Sequence, residues 1–433
     1  MNRNRHADLL RVGAMCVVVL GHWLVTDVTY AGGQITGLDA LGSVRWARWL
    51  TLFLQVMPVF FLVGGYANAV SWTRHRAAGG WAGWVRHRAL RLLVPATIYV
   101  VVAELAVAAA AASGTNAAEL GQAGWAVGLQ LWFLPVYLLL IALTPALFAA
   151  HRRWRLAVPA AMAAGAAIVD TAVIGWRLPV LGFANYLLVW GFAHQLGLAW
   201  QDGSLRAPRW LPAALAGGAT AVLAALLAFG PFPVDMIDGN GPVRNTSPPS
   251  VALLALAAAQ AGLLVAAEPA GRRWLARAAR WHRVSRMNDA AMTVYLWHMV
   301  PVIVVAVAAY PEGLLPMPAI GSAAWWEWRP AWLAVLAVVL IPLAAVMMRF
   351  DRPRPTADGQ ARLAGWWRAA LLGLGIAAAM VALARIAIAG FAPGGRIPLT
   401  ALGIYACGVA ATVIAGRSRR VVGDVSRLIA HRM

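Results

Sequence analysis

The chain has 433 residues, of which 61% are hydrophobic and only 12% are charged, and this composition excludes a soluble globular domain. Its formal net charge is +20, yet it contains no lysine, and its arginines lie between apolar segments instead of forming one patch. That distribution argues against nucleic-acid binding and favours a protein with many membrane spans.

Apolar segments of about 20 residues, the length of a membrane-spanning helix, recur along the chain. We therefore predict an all-α polytopic membrane protein with about twelve spans. They start near Leu9, Trp46, Leu92, Trp125, Leu156, Gly182, Trp210, Ser250, Asp289, Pro330, Ala369 and Ile397. We expect the first segment to be retained as a span instead of being cleaved, because Arg11 and His22 interrupt its apolar run.

The arginines lie mainly in alternate connections between the predicted spans. With the N-terminus inside, most of the 36 basic residues fall in inner connections, and the outer connections hold only Arg45, Arg48, Arg177, Arg244, Arg329 and Arg396. By the positive-inside rule, both termini are expected in the cytoplasm. Arginine without lysine, together with abundant alanine, indicates a GC-rich bacterial genome and hence a bacterial cell membrane, where the charge would contact anionic lipid headgroups.

The chain divides into four regions. Residues 1–349 contain the first ten predicted spans, and residues 350–368 form a cytoplasmic linker rich in proline and charge. Residues 369–415 form an additional transmembrane hairpin, and residues 416–433 a basic cytoplasmic tail. We treat the hairpin as an appendage to the ten-helix bundle.

Ionisable side chains inside a bilayer are costly and therefore mark functional candidates. Arg11 and His22 are eleven residues apart in the first span, so they share one helix face over a rise of about 16 Å. Arg11 would lie at the cytoplasmic interface and His22 near the middle of the membrane. The span that begins at Asp289 carries His298 to a similar depth, so the two histidines are expected at one level.

A pair of arginines occupies the cytoplasmic start of the third span. Arg88 and Arg91 are three residues apart and so share a helix face. Such pairs suit phosphate, because the planar guanidinium group offers bidentate hydrogen bonds. Cys16 and Cys407 lie within spans without ligand-type neighbours, so neither a disulfide nor a metal site is expected. A polar interior cavity is predicted by the other polar side chains within spans, Glu104, Asp170, Gln55, Gln130 and Gln260.

Five motifs occur in a recognisable order along residues 1 to 349: DLLRVGAMCVVVLGH, MPVFFLVGGY, RALRLLVP, LWFLPVYLL and TVYLWHMVP. In this order they resemble the membrane-bound acyltransferase 3 family. The resemblance implies a ten-helix bundle and the transfer of an acyl group, usually acetyl, from cytoplasmic acyl-CoA to an acceptor hydroxyl. The acceptor would be a glycan, a lipid-linked sugar or a natural product at or beyond the outer face.

The resemblance also implies roles for individual residues. His22 corresponds to the catalytic histidine, and Arg11, Arg88 and Arg91 correspond to the donor site. Whether His22 would act as a general base or as a transient acyl carrier stays open. Further candidates for the cavity or for supporting contacts are Asp8, Glu104, Trp132, Tyr137, Asp170, Tyr295 and His298.

Each of these residues also has a structural interpretation. His22 and His298 would be packing histidines, Arg88 and Arg91 would mark the membrane boundary, and Glu104 and Asp170 would be paired structural acids. Tyr295 would orient an intermediate or satisfy a buried hydrogen bond. The alternative function is a membrane transporter or flippase with a polar central cavity, although the chain lacks the internal repeats of many transporters. A scaffold or sensor would need no buried histidines.

Overall fold

The computed structural model describes residues 4–77, 80–237, 241–351 and 365–416, and these are mostly helical. The helices are α1 (Arg5–Val25), α2 (Ala40–Ser43), α3 (Thr51–Leu54), α4 (Met57–His75), α5 (Trp81–Ala112), α6 (Ala117–Gly128), α7 (Phe133–Trp154), α8 (Ala157–Ile174), α9 (Ala184–Asp202), α10 (Leu211–Phe229), α11 (Val251–Ala266), α12 (Glu268–Trp274), α13 (Ala278–Trp297), α14 (Val300–Ala309), α15 (Ala323–Met347), α16 (Trp366–Ala389) and α17 (Leu399–Ile414). Strands β1 (Thr26–Ala31) and β2 (Gln34–Asp39) form one antiparallel hairpin directly after α1.

The prediction of an all-α polytopic membrane protein is confirmed. Among the described residues, eight helical segments are long and apolar enough to cross a membrane, or ten if the bent pairs α11–α12 and α13–α14 each form one span. The remaining two predicted spans correspond to α9 and α17. Most of α9 is buried against other helices, so it carries polar side chains such as Asn185 and His194 without exposing them to lipid.

Two helices that carry candidate residues begin earlier than predicted. α5 begins at Trp81 and not near Leu92, and α13 begins at Ala278 and not near Asp289. The arginine-rich stretches before these apolar segments are therefore continuous with the spans. We name the end of the bundle at which α1, α5 and α13 begin the arginine-rich end.

The helices α4 and α9 approach each other at backbone distance. A Cβ atom on Gly65 would lie 2.0 Å from the carbonyl oxygen of His194, and one on Gly197 would lie 2.1 Å from that of Leu62. Only glycine permits such an approach, because any side chain would clash with the facing backbone. The contact brings the polar middle of α9 against α4.

The terminal hairpin formed by α16 and α17 is part of the bundle, in contrast to the expected appendage. Phe391 follows α16 and is fully buried; its backbone N–H donates to the carbonyl oxygen of Gly124 at 3.1 Å, and its ring packs on Tyr99 with centroids 5.9 Å apart. The hairpin therefore packs closely on α5 and α6. Most of the predicted linker, 350–368, and almost all of the basic tail, 416–433, lie outside the described residues.

Candidate active site

Two histidines from different spans contact each other inside the bundle. His22 lies in the last turn of α1, and His298 lies at the break between α13 and α14, where the two helices bend by 54°. The Nδ1 atom of His22 is 2.7 Å from the Nε2 atom of His298, and the ring centroids are 5.0 Å apart. The structure thus brings together the two histidines that the sequence predicts at one level, and we name them the histidine pair.

The hydrogen-bond partners of His298 determine which ring nitrogens carry protons. Its Nδ1 atom is 2.7 Å from the carbonyl oxygen of Tyr295, and a carbonyl oxygen only accepts, so this nitrogen carries a proton. In its neutral form, His298 then accepts at Nε2 from the Nδ1–H group of His22. The Nε2 atom of His22 is left with its lone pair.

Indole groups hold the backbone around the histidine pair. The Nε1–H group of Trp23 donates to the carbonyl oxygen of His298 at 2.7 Å, and that of Trp332 donates to the carbonyl oxygen of Trp23 at 3.1 Å. These side chains satisfy backbone groups at the end of α1 and at the α13–α14 break, where helical hydrogen bonding stops. The histidine pair is therefore held by α1, α13 and α15 together.

A buried ion pair lies just beyond His22. Asp27 at the start of β1 pairs with Arg329 of α15, whose Nη1 atom also donates to the carbonyl oxygen of Thr26 at 2.9 Å. The ring of Trp325 lies 3.8 Å from the guanidinium carbon, and its Nε1–H donates to Asp27 at 3.1 Å. The sequence predicts Arg329 in an outer connection and does not predict its pairing with Asp27, because nothing in the local sequence links residues so far apart.

The hydroxyl group of Tyr295 is used inside the protein. It donates to the backbone carbonyl of Gln130, whose side-chain Nε2 in turn donates to the hydroxyl of Tyr99 at 2.8 Å and to the carbonyl of Leu296 at 3.1 Å. Tyr295 was expected to orient an intermediate or to satisfy a buried hydrogen bond, and its hydroxyl group makes a buried hydrogen bond. Its carbonyl oxygen makes the contact with His298.

A cavity of about 670 Å³ lies at the arginine-rich end of the bundle. Its lining includes all three predicted donor-site arginines, Arg11, Arg88 and Arg91, and three of the other candidates, Asp8, Tyr137 and Tyr295. Phe133, next to the candidate Trp132, lines it as well. Arg11 donates to the side-chain oxygen of Asn288 at 3.0 Å and lies 3.7 Å from the carboxylate of Asp8. Three guanidinium groups from α1 and α5 thus surround one space, which suits an anionic ligand.

The cavity reaches inward as far as Met15, Phe60, Phe133 and Tyr295. Neither His22 nor His298 is among its lining residues. His22 is seven residues beyond Met15 on α1, which corresponds to a rise of about 10 Å. Tyr295 belongs to both places, because it lines the cavity and its carbonyl oxygen binds His298.

Three candidate residues lie away from both the cavity and the histidine pair. Trp132, a candidate for the cavity or for supporting contacts, is not among the residues that line the cavity. Its ring packs on Trp190 with centroids 5.7 Å apart. Asp170 is buried and accepts from the side chain of Asn185 and from the backbone N–H of Val251, both at 2.7 Å, so it joins α8 to α9 and to the start of α11.

The third of these residues is Glu104. Both of its carboxyl oxygens are buried and have no hydrogen-bond partner among the described residues. It therefore forms no pair with Asp170 or with either histidine in this part of the chain. The same described residues hold no group of three His, Cys, Asp or Glu side chains arranged to bind a metal ion.

Two residues that were not predicted from the sequence lie behind Arg88: Asn68 contacts its guanidinium group, and His194 contacts Asn68. Asn68 and His194 are fully buried, and the side-chain oxygen of Asn68 accepts from Nη2 of Arg88 at 2.5 Å. The available signal was that both are polar residues inside apolar segments, as Gln130 is. Their positions on separate helices gave no indication that they meet.

The fold and this site together define an integral membrane protein with a buried polar centre. The chain belongs to the acyltransferase 3 family: the sequence model of that family, described as an acyltransferase domain, matches residues 4–350. The protein is therefore a membrane acyltransferase, and the family resemblance seen in the five motifs is confirmed. The helices α16 and α17 lie outside the matched range. No curated protein and no solved structure matches the chain.

Proposed function

We propose that the protein is an O-acyltransferase that moves an acyl group, most simply acetyl, from cytoplasmic acyl-CoA to a hydroxyl of an extracytoplasmic or membrane-associated acceptor such as a glycan. The observation that carries the proposal is the placement of Arg11, Arg88 and Arg91 around one cavity that extends along α1 toward His22. The family supports the class of reaction, the arginines support the binding of the donor, and His22 supports the proton transfer.

The donor site in this proposal is the arginine-lined cavity. Phosphate groups bind arginine through paired, charge-assisted hydrogen bonds, and the phosphate-bearing head of CoA would meet Arg11, Arg88 and Arg91 there. Arg91 forms no hydrogen bond or salt bridge within the described residues, so its guanidinium group is available for a ligand. The positive-inside rule supports a cytoplasmic location of this end, where acyl-CoA is made.

The reaction centre in this proposal is the Nε2 atom of His22. Its lone pair takes the proton of the acceptor hydroxyl, and the resulting oxygen attacks the thioester carbonyl. The carbon–sulfur bond then breaks, and the departing CoA thiolate takes the proton from the imidazolium of His22. His298 supports each step, because its lone pair holds the Nδ1–H group of His22 and orients the ring.

The same lone pair would also allow His22 to carry the acyl group itself. Its Nε2 atom would attack the thioester carbonyl, the carbon–sulfur bond would break to release the CoA thiolate, and the Nδ1 proton of His22 would pass to Nε2 of His298. The two routes differ in one measurable species. Radiolabelled acetyl-CoA mixed with the protein in the absence of acceptor would leave label on the chain only by the carrier route. A chain without bound label favours the general base, which we propose.

The experiment for the function compares wild type with His22→Ala in purified, lipid-reconstituted protein. We expect wild type to bind CoA and to release thiol from acetyl-CoA when an acceptor alcohol is present. We expect His22→Ala to lose about 10²- to 10⁴-fold in turnover and to keep its affinity for CoA, because the arginines are untouched. His151→Ala is the matched control, because His151 is also buried but pairs with Asp202 away from the site.

Two outcomes would contradict the proposal. Wild-type protein that neither binds nor consumes acyl-CoA would exclude the donor site. Solute or lipid flux in sealed vesicles that proceeds without acyl-CoA and is unchanged in His22→Ala would favour the transporter or flippase instead.

A further inference from the structure

Arg88 is held from behind by a chain of buried polar side chains. Its Nη2 atom donates to the side-chain oxygen of Asn68 on α4 at 2.5 Å. Its Nε atom is buried without a partner, and its Nη1 atom makes no hydrogen bond with any described residue. Arg88 lines the cavity, so one edge of the guanidinium group is used by the protein and another is left for a ligand.

The orientation of the Asn68 amide follows from its partners. Arginine only donates, so the atom that faces Arg88 is the oxygen, and the NH₂ group of Asn68 points to the other side. There it lies 3.4 Å from Oγ1 of Thr144 and 3.2 Å from Nε2 of His194. The hydroxyl of Thr144 donates to the carbonyl of Leu140 at 2.6 Å, so its oxygen is able to accept from Asn68.

His194 must accept the second hydrogen of that NH₂ group. Its Nε2 atom therefore carries a lone pair, and in a neutral imidazole the proton then sits on Nδ1, which is buried and has no hydrogen-bond partner among the described residues. A protonated His194 would turn an N–H group toward the NH₂ of Asn68 and would break the chain of hydrogen bonds. The network works only with a neutral His194, and His194, Asn68 and Thr144 are all fully buried.

The backbone is built to bring these side chains together. Gly65 lies one turn before Asn68 on α4, and the absence of its side chain allows the carbonyl of His194 to approach α4 directly. The network joins four helices, because Arg88 comes from α5, Asn68 from α4, Thr144 from α7 and His194 from α9. The hydrogen bonds between these helices restrict the side chains that they join, Arg88 included.

We propose that Asn68 and His194 are positioning residues of the donor site, which hold the guanidinium group of Arg88 in the orientation that binds the phosphate-bearing head of acyl-CoA. This inference rests on the proposed function. Neither residue touches the donor; each acts through Arg88. A long arginine side chain loses much conformational freedom when it binds a ligand, and fixing it in advance lowers that cost.

The experiment separates the accepting role of His194 from its bulk. In His194→Leu the side chain keeps its size and loses the acceptor, and we expect the Kd and KM for acetyl-CoA to rise about five- to tenfold while kcat at saturating donor stays near wild type. In His194→Gln the amide oxygen is able to accept from Asn68, and we expect most of the affinity to return. In an Arg88→Ala background, His194→Leu should change the Kd no further.

Gln195→Leu is the matched control, because Gln195 is the next residue on α9, is equally buried and donates to the carbonyl of Leu147 instead of contacting Asn68. It should lower thermal stability without changing the Kd for CoA. Should His194→Leu fail to fold, Thr144→Val removes the other acceptor of Asn68 with little change in volume and should raise the Kd in the same direction.

The outcomes separate this inference from the proposed function. If wild type binds acetyl-CoA but His194→Leu binds it equally well, or loses only the stability that Gln195→Leu loses, the positioning role is wrong and the proposed function survives. If wild type binds no acyl-CoA, the proposed function is wrong and the positioning role falls with it.

Discussion

The Nδ1 atom of His22 lies 2.7 Å from the Nε2 atom of His298, and the other ring nitrogen of His298 lies 2.7 Å from a backbone carbonyl. This arrangement fixes the direction of the hydrogen bond, in which His22 donates and His298 accepts. The carbonyl selects the tautomer of His298, and His298 in turn selects the tautomer of His22. A base that is oriented by a second group, which is itself fixed, is a recurrent arrangement in acyl-transfer enzymes.

Because His298 accepts the hydrogen bond from His22, we predict different effects for two substitutions at position 298. His298→Leu removes the acceptor, so the ring of His22 is free to turn, and we expect turnover to fall about 100-fold at saturating donor. His298→Gln keeps an oxygen that is able to accept from Nδ1 of His22, and we expect a smaller loss. The Kd for CoA should stay unchanged in both, because the donor-site arginines are elsewhere.

Steady-state rates and equilibrium CoA binding check this prediction together. Equal activity in wild type and His298→Leu would show that His22 needs no orienting partner. A loss of CoA binding in step with the loss of rate would point to general damage instead.

The inner end of the cavity predicts a second effect, at Met15. This side chain lines the cavity on the same helix as His22, about two turns before it. If the acyl arm of the donor passes Met15 to reach His22, the larger side chain in Met15→Trp should hold the thioester away from His22. We expect transfer to fall about 100-fold, because small displacements of a reacting group are costly, while CoA itself still binds.

Met15→Leu is the matched control, because it nearly conserves volume and should transfer at close to the wild-type rate. The readouts are acetyl transfer and the Kd for CoA. Wild-type transfer by Met15→Trp would mean that the donor reaches His22 by another route.

Local spacing was enough to predict part of this site. Arg11 and His22 share a face of α1 because helical geometry relates residues within one helix, and the same holds for Arg88 and Arg91. The depth of His298 in the membrane was predicted from the number of residues between it and the start of its span. Each of these predictions uses only the rise and the period of a single helix.

Partners on separate helices could not be predicted in this way. Asp27 meets Arg329 across 302 residues, and Asn68 meets His194 across 126. Such contacts depend on how helices pack, which periodicity within one segment does not determine. For the same reason, the sequence cannot tell whether the aromatic ring of Trp132 faces a cavity or another ring such as that of Trp190.

The buried ion pair predicts a large effect on stability. Asp27→Ala would leave the guanidinium group of Arg329 buried without its counter-charge, and we expect a loss of about 3 kcal/mol in the free energy of unfolding. Asp27→Leu combined with Arg329→Leu should be less destabilised than Asp27→Ala, because neither charge is left alone. Glu312→Ala, at an exposed acid, is the control and should change stability by less than about 0.5 kcal/mol.

Thermal or denaturant unfolding in one detergent measures all these variants. Near-wild-type stability of Asp27→Ala would mean that solvent or the ring of Trp325 is enough to stabilise the charge of Arg329. Since Asp27 closely follows His22 in the chain, we also expect turnover to fall in Asp27→Ala as the end of α1 loosens.

The last prediction concerns the helices outside the family match. Gly390, directly after α16, has a φ of +79°, and a Cβ atom there would lie 2.6 Å from the backbone nitrogen of Trp125. Gly390→Val therefore adds strain of about 1–3 kcal/mol and pushes the hairpin away from α6. Gly403→Val on α17 is the control, because a Cβ atom there meets nothing within 4 Å.

We expect Gly390→Val to lower both thermal stability and turnover, and Gly403→Val to change neither. The effect on turnover follows from the contacts of the neighbouring Phe391. Its ring packs on Tyr99, whose hydroxyl accepts from Gln130, and the carbonyl of Gln130 accepts from the hydroxyl of Tyr295. Displacing the hairpin thus disturbs the residue whose own carbonyl holds His298. Unchanged stability and turnover in Gly390→Val would restore the view of α16 and α17 as an appendage, because a bundle that needs the hairpin cannot tolerate a side chain at that contact.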